Sequence, residues 1–128
     1  MSYHFSKRLD VPFDQAVARV IEALKREGFG VLTDIDVKTT LKNKLGVDFR
    51  SYRILGACNP LLAHRALQLE DKIGTMLPCN VVVQDRQDAG VEVSAVDPVA
   101  SMRAIDNPGL AEVANEVRAK LKRVVEGL

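Results

Sequence analysis

Two short phrases in the sequence set a thiol beside an amide: Cys58-Asn59-Pro60 and Pro78-Cys79-Asn80. A thiol can serve as nucleophile, redox centre or ligand to a soft metal, and a neighbouring asparagine can orient a bound group. These are the only two cysteines, 21 residues apart, with neither Cys-x-x-Cys spacing nor a paired-histidine motif to fix their role. Three readings stand open: small buried apolar residues, a redox or sulfur-handling pair, or a soft metal site, such as zinc or copper, on Cys58, Cys79 and His64. Taken alone, His64 also reads as a helix-surface residue. Asn59 and Asp97 suit helix N-caps and Asn80 suits a strand edge, where it would satisfy backbone groups; the functional alternative has them orient a ligand near the thiols.

A second group of residues tests for nucleic-acid binding. Lys38, Lys42, Lys44, Arg50 and Arg53 are interleaved with Phe49 and Tyr52, a pattern that could supply charge and stacking. Asp36 and Asp48 dilute it, tryptophan is absent, and aromatic residues make up only 5%, so a solvated charged face is the better account. No Walker A sequence, dinucleotide fingerprint, G-x-S-x-G elbow or H-E-x-x-H occurs, which removes the easily read ATPase, dehydrogenase, hydrolase and zinc-protease assignments.

The elements that must position these residues follow from periodicity. Tyr3, Phe5 and Leu9 predict a first strand, interrupted on that face by Lys7. Pro12 suits a first helical turn, and Phe13, Ala16, Val17, Val20, Ile21 and Leu24 share one helical face that ends at Gly28. Phe29, Val31, Ile35 and Val37 alternate as a second strand with one mostly apolar face. A helical turn carries Leu41 and Leu45 toward Gly46. A third strand falls within 47–58, with Tyr52, Ile54, Gly56 and Cys58 on one side. Asn59-Pro60 then opens a helix packing through Leu62, Ala63, Ala66 and Leu67. The runs 79–84 and 91–96 form a hairpin, Asp97-Pro98 begins a short helical piece, and Asn107-Pro108 begins a long helix through Leu110, Val113, Ala114, Val117, Leu121 and Val124.

Consecutive strands with short connections favour an α+β class: an antiparallel sheet with two long helices on one face. The other face retains apolar side chains such as Val82, which predicts a homodimer. With 128 residues, 47% of them hydrophobic and 27% charged, the chain reads as one globular domain over residues 1–128 that needs neither metal nor disulfide to hold it together. A net charge of +1, from 18 basic and 17 acidic residues, argues against neutralisation of many phosphates. No apolar run would span a bilayer, and the polar start Met1-Ser2-Tyr3-His4 lacks the features of a signal peptide, so a cytoplasmic location and reduced thiols are expected.

Several phrases taken together carry a resemblance: Gly28-Phe29-Gly30-Val31-Leu32 with Ile35-Asp36-Val37, Tyr52 to Pro60, Leu77 to Val83, and Asp97-Pro98. In this order they resemble the prokaryotic family catalogued as domain of unknown function 302, across essentially the whole chain. The resemblance implies a TATA-binding-protein-like fold, strand-helix-four strands-helix, and dimers. It places Cys58, Asn59, Pro60, Pro78, Cys79 and Asn80 on the family's motif positions and implies no activity. Shared fold does not carry DNA binding with it. The expectation is therefore a thiol-based soft-metal-binding or sulfur- and redox-handling protein using Cys58, Asn59, Cys79 and Asn80. Its alternative is a non-catalytic dimeric module for a small molecule or protein, in which both cysteines are structural.

Overall fold

Strand alternation and helical stripes in this chain resolve into a sheet with helices on one face. The computed structural model describes residues 2–128; Met1, part of the polar start considered above, lies outside the described residues. The strands are β1 (His4–Leu9), β2 (Gly30–Asp36), β3 (Tyr52–Cys58), β4 (Cys79–Asp85) and β5 (Val91–Val96). They form one sheet in the order β1-β5-β4-β3-β2, with every neighbouring pair antiparallel. The helices are α1 (Phe13–Arg26), α2 (Val37–Leu45), α3 (Pro60–Leu69), the single turn α4 (Pro98–Ser101) and α5 (Pro108–Glu126). A 3₁₀ segment, Asp71–Met76, leads from α3 into β4.

The two long helices touch each other and the same sheet face, α1 against β4 and α5 against β5 and β1. That face contributes Leu55, Val81, Val83, Val93 and Ala95 to the core, and α5 buries the whole expected stripe from Leu110 to Val124. Lys7 falls on this apolar face too, yet its amine reaches out to the carbonyls of Glu126, at 3.0 Å, and Leu128, at 2.7 Å. The stem can stay dry while the charge meets the end of α5.

Local chemistry fixes the joints. Gly28 takes a φ of 86° just beyond α1, a conformation that costs a side-chain-bearing residue strain. Asn59, Asp97 and Asn107 each occupy an N-cap ahead of a proline, and each side chain accepts a backbone N–H of the first turn.

Several expectations are corrected. Tyr3 precedes β1 and is exposed, whereas β3, Tyr52–Cys58, falls within the expected 47–58. Ile21 and Leu67 lie toward solvent rather than in the packed stripes. In β2 the register shifts between Val31 and Thr33, so Leu32 is an extra residue in the pairing. The shift reverses the alternation: Ile35 pairs with Ile54 on the open face and is 47% exposed, while Val31 stays beside buried Ala57. Val37 does not end the strand; it begins α2, which Asp36 caps.

Candidate functional site

Register brings the two cysteine phrases together. Ala57 pairs with Cys79 across β3 and β4, so Cys58 stands one step from that pair at the end of β3. Cys79 projects on the core face and is 6% exposed; Cys58 is half-buried, and both are free thiols. Burial pushes the Cys79 thiol up to about 11, with the nearby Cys58 adding to the effect. At neutral pH Cys79 is therefore a neutral thiol.

Both sulfur residues line one apolar cavity of about 250 Å³. Its floor is Ala57 and Cys79 from the sheet, and one wall is Leu62, Ala63 and Ala66 of α3. Val113, Ala114 and Val117 of α5 line it too, and Met102, Phe29, Leu32, Leu77 and Pro78 complete the lining. Asn59 supplies the wall's only side-chain amide. Its Oδ1 accepts the Leu62 N–H at 3.2 Å, which fixes both the start of α3 and the amide plane. The small residues Ala63, Ala66 and Ala114 explain why a space exists: helix and sheet close over side chains too short to fill it. A space of this size suffices for a small organic molecule, since apolar cavities of roughly 150 Å³ already admit benzene.

A tight approach at Gly56 braces the cavity's edge. A Cβ there would run into the Thr33 hydroxyl and lie 2.7 Å from Pro78 Cγ. Pro78, joined to Leu77 by a cis peptide, thus packs over a strand position that has no side chain.

The remaining sequence-predicted site residues separate from the thiols. Asn80 is exposed, pairs with Gly56 and lines a groove on the open face; it sits in β4, inside the sheet, and not at a strand edge. Asn80 and Cys79 are consecutive strand residues, and the pleat sends them to opposite faces. His64 is exposed and absent from the cavity wall. It lies two residues from Leu62 and two from Ala66, both buried, which puts it on the far side of the helix. Thus the three-residue metal set of Cys58, Cys79 and His64 is not assembled, and among the described residues no group of three or more His, Cys, Asp or Glu could hold a metal ion. Asp97 caps α4 through Val99 N–H at 3.0 Å and pairs with Arg118 Nε at 3.2 Å, away from the thiols.

The basic segment is locally engaged as well. Arg53 pairs with Asp34, Lys42 with Asp48 at 3.0 Å, and Arg50 lies over the Phe49 ring at 4.4 Å while donating to Gln84. Sequence reasoning took Val113, Ala114 and Val117 only as core, and gave Met102 no role. The signal available was the run of small residues on facing helices, which periodicity alone does not distinguish from ordinary packing.

A family model described as "Domain of unknown function DUF302" matches residues 5–128. Among solved structures, the chain is similar to the "uncharacterized conserved protein DUF302 from Bacillus stearothermophilus". The TM-score is 0.90 at 29% identity, covering 98% of this chain and 98% of that one. Among curated proteins none matches. No helix among the described residues is long and apolar enough to cross a membrane.

Proposed function

The chain belongs to the DUF302 family, and within it we propose a non-catalytic binding module that holds a small, largely apolar molecule between α3, α5 and the ends of β3 and β4. The observation that carries this reading is the cavity of about 250 Å³, lined mostly by hydrocarbon side chains, with Asn59, Cys58, Cys79 and Met102 the lining residues that carry a heteroatom in the side chain. The hydrophobic effect would supply the affinity, and Asn59 the orientation.

The test is a titration of the reduced protein with hexan-1-ol, followed by amide chemical shifts. Expected is a saturable change at Phe29, Ala66 and Val117, weakened when Ala63→Phe fills the space. Shifts scattered over the surface, or none, would overturn the reading.

A second reading has one observation in its favour, that Cys58 and Cys79 line the same cavity. In it the two sulfurs take a soft ion such as copper(I) or zinc. That ion would need Cys79 as thiolate, against the burial that holds its proton. Native mass spectra of the reduced protein with each metal would decide it; no retained ion removes it.

The same proposal includes a homodimer through the open sheet face, where Ile54 and Val82 are half-buried, and a cytoplasmic location. It also takes the architecture as TATA-binding-protein-like. A light-scattering mass of one chain at micromolar concentration would remove the dimer.

A further inference from the structure

We propose a second binding site, for a phosphate monoester, in the polar groove between the first turn of α2, the segment leading into β3 and the turn that joins β4 to β5. It shares no lining residue with the apolar cavity and stands independently of what that cavity holds.

The groove exists because the pairing of β3 with β4 runs on past both strands. Asp85 N–H donates to the Ser51 carbonyl at 2.9 Å, which sets the segment before β3 beside the turn after β4. The space they enclose is about 720 Å³, and Lys38, Arg50 and Arg86 bring cations to it from three separate elements. Its two carboxylates are already engaged. Asp48 pairs with Lys42 at 3.0 Å, and Asp85 Oδ1 accepts the Gln87 N–H at 2.8 Å. Arg86 lies 3.8 Å from Glu92. Lys38 and Arg50 are left with no carboxylate partner among the described residues.

Arg50 is the anchor, because its guanidinium is oriented before any ligand arrives. Its Nε donates to Gln84 Oε1 at 3.0 Å. Gln84, only 9% exposed, is held in turn by Glu92 Oε1, to which its Nε2 donates at 3.3 Å. Arg50 Cζ also lies 4.4 Å from the Phe49 ring centroid and 5.8 Å from that of Tyr52. A buried amide thus fixes an exposed arginine while occupying one of its three nitrogens. The two terminal nitrogens have no hydrogen-bond partner among the described residues, and their planar fork matches two oxygens of one phosphate. Lys38 adds a compact second charge, so the pair suits a group carrying roughly two negative charges at neutral pH. The cations do not continue as a strip for a nucleic-acid backbone, since Arg53 and Lys42 are tied to Asp34 and Asp48.

The test follows amide chemical shifts of the full chain during titration with phenyl phosphate, benzoate and phenol. Expected is saturable binding of phenyl phosphate centred on Phe49, Ser51 and Gln87, with benzoate about tenfold weaker and phenol leaving those amides unmoved. Arg50→Lys keeps the charge and loses the fork, whereas Gln84→Leu keeps the fork and loses its hold. Each should weaken phenyl phosphate by about tenfold, as should Lys38→Gln. Lys44→Gln, which removes a lysine that does not line the groove, should leave the affinity unchanged. Equal losses for Lys44→Gln and Arg50→Lys would reduce the site to general surface charge and overturn the proposal. Benzoate binding as tightly as phenyl phosphate, shifts confined to Ala66 and Val117 of the apolar cavity, or no saturation would each overturn it too.

Discussion

Cys58 and Cys79 stand one register step apart on adjacent antiparallel strands, yet they meet water on very different terms. One lies half-buried at the end of β3; the other lies in the floor of an apolar cavity. Two chemically identical side chains, drawn together from distant positions, are thereby divided into an accessible thiol and a protected one.

Alkaline stability should report the protected thiol. Folding holds the proton on Cys79 up to about 11, against an ordinary value of 9.0. Between those values the unfolded chain binds fewer protons than the folded one, so stability is complete below pH 9 and falls as pH rises toward 11. The loss attributable to this group is at most about 3 kcal/mol. Urea unfolding at pH 8 and pH 11 checks it: Cys79→Ala should lose less stability between the two than the parent chain. An equal loss in both would refute the assignment.

Gly56→Ala should destabilise the fold by roughly 2 kcal/mol or more, since the new methyl group meets the Thr33 hydroxyl and Pro78 together. Combining it with Thr33→Gly removes one of the two collisions and should recover part of the loss. Denaturant midpoints of the single and double variants measure both effects.

Asn59→Ala removes the side-chain acceptor for Leu62 N–H and should cost about 1 kcal/mol, whereas Asn59→Asp keeps an acceptor and should cost less. Asn107→Ala should cost more than Asn59→Ala, because Asn107 also donates to the Leu69 carbonyl at 3.0 Å. Thermal melts of the three variants rank them.

Asp97 is 9% exposed and is held by two side-chain bonds, from Val99 N–H and from Arg118. Arg118→Met should cost about 1 kcal/mol by leaving the carboxylate without its cation, and Asp97→Ala should cost more because the cap goes too. Equal denaturation curves for Arg118→Met and the parent would show that the pair contributes nothing.

Legibility from sequence varied with the physics behind each element. The α5 stripe from Leu110 to Val124 was readable because a long helix repeats its signal many times. The caps at Asn59, Asp97 and Asn107 were readable because an N-cap followed by proline is local. Proximity of the cysteine phrases followed from treating β3 and β4 as antiparallel neighbours. Ile35 could not be placed, since an extra residue in one strand shows only against its partner's register. His64 could not be excluded from the thiols until the inward face of α3 was known, and Asn80 was misjudged because β4 lies inside the sheet. Nor does any local pattern reveal that small side chains on α3 and α5 leave a space between them.

The irregularity at Leu32 also bears on how these molecules behave in a crowd. An uninterrupted outer strand offers a straight row of unsatisfied amides and carbonyls onto which a neighbouring polypeptide could zip, copy after copy. Here one of the two outer strands is β2, whose pairing is interrupted by its additional residue at Leu32, so such a row is broken on this edge. A feature that looks like a flaw in the pairing thereby discourages fibre growth along this side of the protein.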